Sequence, residues 1–343
     1  MSNEVLRRFL APLMRGESLS RAEAGLLLDA LLDSSATDSQ IASSLIALKL
    51  KGETVEELTG LAEGMRARAV GIKTHHKRYI DTAGTGSSCA KTFNVSTAAA
   101  FVIAGAGLPV AKHGNRAASS RCGSADVLSA LGVDVSMSPE ISEKCLNEIG
   151  ICFMFAPLYH GATARVAGIR REMGVQTSFN LLGPLTNPAR APRQIIGVWD
   201  RSLVEPLAQT LSLLGTERAW IVHGGDGLDE VTLADKTFVA EALNGAVRSF
   251  EIEPEAFGID RVALDGLGGG DAEANAAIIR SVLSGVRRDA ARLLVIINAA
   301  AALHVGGFAE DLRAGTLLAE ESIDSGAAQM KLEQLIRMSV GEP

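Results

Sequence analysis

The sequence predicts an α/β protein, in which a small N-terminal all-α domain precedes a larger domain built on a mostly parallel β-sheet. Residues 1–70 show helical periodicity throughout and no strand signal. From residue 75 onward, short apolar runs alternate with helical ones, which is typical of parallel strands joined by helices on both faces of a sheet. The length of 343 residues also suits two domains. We therefore expect an all-α domain at 1–70 and an α/β domain at 75–343.

Composition and charge exclude several classes of protein. The chain is 47% hydrophobic and has a formal net charge of −7, so no overall basic field attracts nucleic acid or anionic lipid. Its longest apolar stretches, near 97–111 and 293–303, fall short of the roughly 18 residues that suggest a membrane span. We expect neither a nucleic-acid partner nor a membrane partner.

The cysteines and the N-terminus indicate a reducing compartment. Cysteines stand at positions 89, 122, 145 and 152, with neither Cys-x-x-Cys nor zinc-site spacing. The first residues lack the apolar run of a signal peptide. We expect reduced thiols and a cytoplasmic protein.

Three helices can be placed in the N-terminal part. Ser18 or Ser20 can cap a helix with an apolar stripe, Ser39 precedes an amphipathic run at 41–50, and Thr54 with Glu57 has capping-box spacing. The stripe of the first helix comprises Ala24, Leu26, Leu27, Ala30 and Leu31. Because so small a unit buries little core by itself, we expect a second copy to cover such apolar surface, giving a homodimer through the helical domain.

Strands and helices of the second domain follow from its apolar runs. Strands are predicted at 79–82, 109–111, 133–135, 152–155, 195–198, 220–222 and 247–252. Helices are predicted at 96–106, 126–131 and 139–149, the last capped by Ser138 and begun by Pro139. A glycine-rich turn at 266–270 leads into two closing helices.

The segment GTGSSCAKTFNVSTAAA, residues 84–100, lies between a predicted strand and a predicted helix. Glycines let backbone N–H groups approach an anion, and a helix N-terminus adds unpaired donors. The segment therefore favours phosphate or pyrophosphate binding, although a tight turn with a helix cap would explain the glycines alone. It matches neither G-x-G-x-x-G nor the P-loop pattern, which argues against a dinucleotide or P-loop site.

A second polar loop, KHGNRAASSRCGSAD at 112–126, follows the next predicted strand. It should emerge at the same carboxyl edge of the sheet, where ligands of open α/β sheets bind. Its lysine, arginines and serines suit several phosphate oxygens. A solvated basic loop is the alternative.

Adjacent acids in a third loop suggest a metal. Asp229 and Glu230 lie in GGDGLDEVTL, residues 224–233, after the strand at 220–222. Mg²⁺ prefers such hard oxygen ligands and leaves room for water and substrate phosphate. Alone, the pair could be solvated or cap a helix, but opposite two phosphate loops Mg²⁺ binding is the better explanation.

Together, several motifs resemble those of the anthranilate phosphoribosyltransferase family over nearly the whole chain. They are DTAGTG (81–86), KTFNVSTAAAF (91–101), VAKHGNR (110–116), GSADVLSALG (123–132), FAPLYH (155–160), RREMGVQTSFNLLGPLTNPA (170–189), HGGDGLDEVTL (223–233) and GGGDAEANAAIIR (268–280). The resemblance implies transfer of a phosphoribosyl group from 5-phosphoribosyl 1-pyrophosphate to anthranilate, in tryptophan biosynthesis. It also implies a nucleoside phosphorylase-like architecture, a homodimer and packing of 168–190 back on the N-terminal helices.

The resemblance also implies the site residues. For phosphoribosyl pyrophosphate they are Gly84, Ser87, Ser88, Thr92, Asn94, Val95, Ser96, Thr97, Lys112, His113, Gly114, Asn115, Arg116, Ser119, Ser120 and Ser124. For anthranilate they are Gly84, Asn115 and Arg170, and for Mg²⁺ they are Ser96, Asp229 and Glu230. A bidentate arginine suits an aromatic carboxylate, although Arg170 could instead pair with Glu172. No residue is assigned as a general base, and His113 is expected to be a structural hydrogen-bonder.

The chain departs from the family pattern at Ser87, Ser88 and Cys89, where relatives read Gly-Asp-Gly, and at Gly161. Two other functions remain open. A pyrimidine-nucleoside phosphorylase would share the architecture, but KHGNR and Arg170 argue against it. A nucleic-acid-binding relative without activity would need a basic stripe, whereas this chain is acidic.

Overall fold

A computed structural model of the chain describes residues 4–86, 92–117, 122–264 and 266–341. The β-strands in these ranges are β1 (Ile80–Gly84), β2 (Val110–Gly114), β3 (Ile151–Phe155), β4 (Arg193–Gly197), β5 (Arg218–Gly224), β6 (Thr237–Leu243) and β7 (Ala246–Ile252). The first α-helices are α1 (Glu4–Met14), α2 (Arg21–Leu32), α3 (Asp38–Lys51), α4 (Val55–Arg68), α5 (Val95–Gly105), α6 (Ser124–Leu131), α7 (Pro139–Ile149) and α8 (Ala156–Tyr159). The remaining ones are α9 (Ala164–Met173), α10 (Phe179–Leu185), α11 (Val204–Leu213), α12 (Ala272–Leu283), α13 (Ala290–Val305), α14 (Leu312–Asp324) and α15 (Ala327–Ser339).

The strands form a single mixed sheet with the order β3-β2-β1-β4-β5-β6-β7. The first five strands in this order are parallel, and β6 and β7 are antiparallel additions at one edge. From β1 the chain first builds outward through β2 and β3, and then returns to place β4 on the other side of β1. The order therefore reverses between β1 and β4, whose last residues, Gly84 and Gly197, are paired. This confirms the predicted fold class.

Capping boxes start the helices of the N-terminal part. Ser20 with Glu23 starts α2, and Thr54 with Glu57 starts α4. The start of α3 differs from expectation, because Thr37 with Gln40 forms its capping box instead of Ser39. In each box the side-chain oxygen accepts from a first-turn N–H that no helical carbonyl can reach.

The apolar stripe of α2 is covered by the chain itself. Ala24, Leu27, Ala30 and Leu31 are all buried, and they belong to a core that continues through α10 and α11 to one face of the sheet. The expectation that this stripe leaves apolar surface for a second copy is therefore wrong, except at Leu26, which is 50% exposed. The other face of the sheet packs on α5 and the closing helices, forming a second core.

The segment at 133–135 is a turn between two helices and not a strand. Gly132 ends α6 in the left-handed conformation, and Val133 N–H donates back to Leu128 O at 3.0 Å. The Asp134 N–H donates to the Ser339 hydroxyl at 2.9 Å. Its backbone is therefore satisfied by a helix end and a side chain, and the apolar residues that suggested a strand only contribute to the core.

Two further elements differ from expectation. Strand β6 was not predicted, because its buried Glu241 interrupts the apolar pattern. That carboxylate accepts from Trp220 Nε1 at 2.9 Å and pairs with Arg218 and Arg248, which makes its burial tolerable.

At the C-terminal end, four helices follow the glycine-rich turn, α12 to α15, where two were expected.

Glu57 links three parts of the N-terminal helical region, and its removal should destabilise the fold. Its fully buried carboxylate accepts from Leu19 N and Thr54 N and pairs with Lys51 Nζ, each at 2.8 Å. Since Glu57→Ala leaves a buried ammonium group without its partner, we expect a loss of about 3–5 kcal/mol in the free energy of unfolding. Urea denaturation followed by circular dichroism measures it.

Glu56→Ala is the matched control, because Glu56 is the exposed neighbour on the same helix. It should change the free energy of unfolding by less than about 0.5 kcal/mol. Equal losses in the two variants would show that the buried contacts of Glu57 do not stabilise the fold.

Candidate active site

The candidate site lies at the carboxyl ends of β1 and β4, where the strand order reverses. Ligands of open α/β sheets bind at such a point. The loop after β5 approaches the end of β4 very closely. A Cβ atom on Gly197 would lie only 1.7 Å from the backbone oxygen of Asp229. On Gly84, a Cβ would lie 3.6 Å from Asp229 Oδ2. The lack of a side chain at Gly197 therefore lets the acidic loop reach the reversal point.

Glu230 reaches the N-terminus of α5. It lines a cleft of about 270 Å³ together with Thr82, Ser96, Asn298 and neighbouring apolar residues. The nearby backbone N–H of Ser96 acts to lower the pKa of its carboxyl group. Asn298 holds the loop from below, because its amide exchanges two hydrogen bonds of 2.9 Å with the backbone of Val231. Helix α13, which carries Asn298, thus supports the loop that contains the acid pair.

Burial and like charge make the acid pair electrostatically unfavourable. Burial and the charge of Asp229 raise the pKa of Glu230 to about 8, against the attraction of Lys112. Lys112 is itself buried, with a lowered pKa, and its Nζ contacts Thr82 O and Ser96 Oγ. A divalent cation would relieve the repulsion between the two carboxylates.

The donor set fits Mg²⁺ only in part. Across the described ranges, no group of three or more His, Cys, Asp or Glu residues could hold a metal ion. Two carboxylates and the Ser96 hydroxyl are hard oxygen donors, and Mg²⁺ is commonly held by one or two carboxylates with waters and substrate phosphates. Asp229, Glu230 and Ser96 therefore suit a magnesium ion that substrate helps to bind.

The described part of the loop before α5, with the first turn of that helix, has buried polar atoms without a partner among the described residues. Asn94 precedes the helix but does not cap it, because its Nδ2 donates to Cys122 O at 3.3 Å. Asn94 Oδ1 and Thr97 Oγ1 are buried, and neither has a hydrogen-bond partner in the part of the chain described. Leaving buried polar atoms without hydrogen bonds reduces stability. A ligand that hydrogen-bonds to these two atoms would remove that cost. Thr92 lies alongside, where its carbonyl is 2.9 Å from the Cβ position of Gly269.

Asp126 organises the second loop. Its carboxylate accepts from Ala117 N and Gly123 N at 2.9 Å and pairs with Arg116 at 2.9 Å. The Ser124 hydroxyl donates to Asn115 O at 3.3 Å. Gly114 lies at the end of β2, and Val95 lies at the start of α5. These are the positions that the predicted phosphate loops would occupy. The residues Ser87, Ser88, Ser119 and Ser120 lie outside the described ranges.

Arg170 lies on α9, beside a different set of unpartnered atoms. Its Nη2 donates to Asn180 Oδ1 at 3.0 Å, and the guanidinium lies 5.5 Å from the ring centroid of Phe179. Burial lowers the pKa of Arg170. Its Nε is buried and, among the described residues, has no hydrogen-bond partner. No ion pair with Glu172 forms in the ranges described, so that alternative does not explain Arg170.

His113 and His160 form a buried pair near α10. Their ring centroids are 5.2 Å apart, and His113 Nδ1 donates to Gly183 O at 3.2 Å. Burial and the neighbouring His160 lower the pKa of His113 to about 3. The imidazole is therefore neutral near pH 7. Nε2 of each ring is buried and unpartnered within the described structure.

Comparison with known proteins gives the family. Two models match the chain, the helical bundle domain of a glycosyl transferase family over residues 7–69 and the α/β domain of a glycosyl transferase family over residues 76–329. The anthranilate phosphoribosyltransferase of Moorella thermoacetica is 51% identical over 332 residues, covering 97% of this chain and 98% of that protein. The chain belongs to the anthranilate phosphoribosyltransferases.

Other members of this family support the assignment. The anthranilate phosphoribosyltransferase of Nitrobacter hamburgensis is 49% identical, covering 98% of this chain and 99% of that protein. The crystal structure of the Thermus thermophilus enzyme has a TM-score of 0.90 at 39% identity, with 97% and 99% of the two chains covered. The Saccharomyces cerevisiae enzyme in complex with PRPP and Mg has a TM-score of 0.89 at 28% identity, covering 99% of each chain.

Sequence reasoning missed residues that support this phosphoribosyltransferase site from behind. Asp81 is fully buried and accepts from His113 N at 3.2 Å, and burial raises its pKa to about 6 against the attraction of Lys112. Asn187 donates to Ala111 O at 2.9 Å and is close enough to Asp81 to act to lower the pKa of its carboxyl group. Both lie in motifs that carried the family resemblance, but nothing in their spacing shows that they meet.

Replacing His113 by glutamine should flatten the loss of stability in acid. Because burial depresses the pKa of His113 in the folded protein, the unfolded chain binds a proton below about pH 6.5 that the folded protein does not. The free energy of unfolding therefore decreases as the pH is lowered through this window, by up to about 1.4 kcal/mol per pH unit. The difference in unfolding free energy between His113→Gln and wild type should grow in favour of the variant from about pH 6.5 to about pH 5.

Urea denaturation at several pH values measures both slopes. Parallel pH profiles of wild type and variant would mean that His113 titrates equally in the folded and unfolded chains.

Proposed function

We propose that the chain transfers the phosphoribosyl group of 5-phosphoribosyl 1-pyrophosphate to the amine of anthranilate, giving N-(5-phosphoribosyl)anthranilate and pyrophosphate, in L-tryptophan biosynthesis. The observation that supports this best is the arrangement around the reversal point of the sheet. An acid pair lies at its centre, with two groups of buried polar atoms that lack partners within the described chain. One group lies at the start of α5 and the other beside α10, as two different substrates would require.

Family members supply the chemistry of the two substrates. The Saccharomyces cerevisiae enzyme has been solved in complex with PRPP and Mg and also in complex with 4-fluoroanthranilate. The second complex has a TM-score of 0.88 at 27% identity. By analogy, the polyanionic substrate and Mg²⁺ belong at the phosphate loops and the aromatic acid beside Arg170.

We assign the phosphoribosyl pyrophosphate side to the start of α5 and the second loop. Asn94 Oδ1 and the Thr97 hydroxyl would bind substrate polar groups, while first-turn N–H groups and Arg116 would bind phosphate oxygens. Arg116 is 53% exposed at its side chain and is held by Asp126, so it can share its donors with a ligand. Lys112 offsets the charge of the acid pair from below.

Mg²⁺ would be held by Ser96, Asp229 and Glu230. When bound, it supplies positive charge for the pyrophosphate group that leaves the anomeric carbon. The protein's own contribution is to hold the loop that carries both carboxylates at the reversal point, through the hydrogen bonds between Asn298 and Val231.

The acceptor side has groups for binding, and no residue there is assigned as a general base. Arg170 has donors for the anthranilate carboxylate, and Asn115 lies at the end of β2 between the two sides. An arylamine is neutral at pH 7 and has a free lone pair, so a general base is not obligatory. Proximity and orientation would then supply much of the rate, with stabilisation of the leaving group supplying the rest.

The assembly and compartment belong to the same proposal. We place an all-α unit at 1–70 and an α/β unit at 75–343 in a cytoplasmic homodimer joined through the helical part. Val5, Met14, Leu26 and Leu50 of that part are at least half exposed, which a partner could cover. None of the described helices combines the length and apolar character needed to cross a membrane. Light scattering that gives the 35.9 kDa mass of one chain would contradict the dimer.

Arg170→Ala should raise the KM for anthranilate much more than that for phosphoribosyl pyrophosphate. A lost charged hydrogen bond weakens binding roughly ten- to a hundredfold. The decrease of anthranilate fluorescence, followed with each substrate varied in turn, measures both constants. Arg171→Ala is the matched control, because Arg171 is the exposed neighbour on α9. An unchanged anthranilate KM in Arg170→Ala would remove this residue from the acceptor site.

Asp229→Asn combined with Glu230→Gln should lower kcat and raise the Mg²⁺ concentration needed for half-maximal activity. Neutral amides are poor ligands for a hard cation, whereas the fold should survive because the substitutions remove like-charge repulsion in a buried site. A Mg²⁺ titration of activity, with thermal unfolding as the control, tests both points. Wild-type activity and an unchanged titration curve would show that the metal binds elsewhere.

A further inference from the structure

A second cavity lies at the joint between the helical part and the α/β part. It opens to solvent, has about 240 Å³ of empty space including its mouth, and is lined by Arg66, Ala69, Gly71, Asn187, Pro188 and Arg190. Arg66 belongs to α4, the next two residues to the connection that leaves it, and the last three to the segment between α10 and β4. The cavity therefore contacts both parts of the chain and the connection between them.

Arg66 is held rigidly at one wall. Its Nε donates to Leu185 O at 2.8 Å and its Nη1 to Leu214 O at 3.2 Å, so it binds the C-terminal ends of α10 and α11. Within the described chain, Nη2 has no such acceptor. Burial and the charge of Arg190 lower the pKa of Arg66 to about 10, which still leaves it charged near pH 7.

Arg190 contributes the opposite wall in an uncommon backbone conformation. Its φ of 52° lies in the left-handed region, which long side chains rarely adopt. Its N–H closes a turn onto Asn187 O at 2.9 Å. In the described part of the molecule its guanidinium forms neither an ion pair nor a hydrogen bond. The turn thus places at the cavity an exposed arginine that has no side-chain partner among the described residues.

The cavity has two positive charges and no acid in its lining. The nearest acid whose charge acts on Arg66 is Glu63, and Glu63 is already paired with Arg21 on α2. After burial, the charge of Arg190 is the second cause that disfavours the charge of Arg66, and an anion bound by both guanidinium groups would offset that repulsion. Guanidinium donors suit phosphate oxygens in number and geometry.

We propose that this cavity binds a small oxyanion of the phosphate class between Arg66 and Arg190. The anion accepts from Arg66 Nη2 and from the guanidinium of Arg190, and it thereby links α4 to the segment before β4. The same chemistry is offered by inorganic phosphate and by the phosphate group of a small phosphomonoester. The cavity is separate from the proposed active site, whose cleft is lined by other residues.

Selenate, a tetrahedral oxyanion like phosphate that also scatters X-rays anomalously, provides a direct test in crystals of the full chain. Arg190→Asn removes the charge while keeping a residue type that tolerates positive φ. Lys144→Gln is the control for net charge, because Lys144 is exposed on α7 in the α/β part. We expect an anomalous selenium peak between Arg66 and Arg190 in wild type and Lys144→Gln, and none there in Arg190→Asn. Selenate peaks at the phosphate loops should persist in all three proteins.

Calorimetric titration with inorganic phosphate then measures affinity in solution. One class of sites should weaken roughly ten- to a hundredfold in Arg190→Asn and stay unchanged in Lys144→Gln. Ribose 5-phosphate that removes the selenium peak from the cavity would identify a phosphomonoester as ligand, and a peak that only inorganic phosphate removes would identify the free ion. A wild-type cavity without selenium, or equal phosphate binding by wild type and Arg190→Asn, would overturn the proposal, and neither result depends on phosphoribosyl transfer.

Discussion

The close approach of the Asp229 carbonyl to Gly197 is the constraint on which the candidate site depends. Any side chain at position 197 would occupy the space of that oxygen, so the acidic loop can cross the end of β4 only over glycine. Asn298 fixes the next turn of the loop through two amide hydrogen bonds. The two carboxylates are thereby held at the point where the strand order reverses, next to the N-terminus of α5.

Holding charges in that place has an electrostatic consequence. Lys112 is close enough to both Asp81 and Glu230 to act on the pKa of each acid, and burial also shifts the pKa of all three groups. A buried group of this kind stabilises the fold poorly, because desolvation offsets most of the attraction. Such shifts are typical of functional sites. Asn94, Thr97 and Arg170 follow the same pattern, because each has a buried polar atom without a partner in the described ranges, and a fold selected for stability alone would satisfy such atoms.

The helical part is not an independent unit in its packing. Its buried leucines on α2 and α3 share one core with α10, α11 and a face of the sheet. Polar contacts reinforce this, including Arg165 with Asp38 at 2.6 Å and Ser178 with Glu53 at 2.7 Å. The segment that contains Arg170 therefore rests on the N-terminal helices. The arginine-lined cavity lies in the gap that remains where α4 passes into the connection.

The sequence by itself determined the fold class and the starts of several helices, and it singled out the loops that the proposed chemistry uses. These depend on local signals, such as the capping box of Thr54 and Glu57 or the glycines near β1, and on motifs read directly from the chain. It failed where a local pattern was overridden. The apolar residues at 133–135 form a turn, and β6 was hidden by Glu241, whose partners lie on other strands.

Only the tertiary structure decided which residues meet. Asp81 lies against the backbone of His113, Asn187 behind both, and Arg66 opposite Arg190, although each pair is separated by tens of residues or more. It also decided that the stripe of α2 is covered within the chain. Such outcomes depend on strand order and on how helices pack across a sheet. Periodicity reports the face that a residue occupies, but it does not report what that face touches.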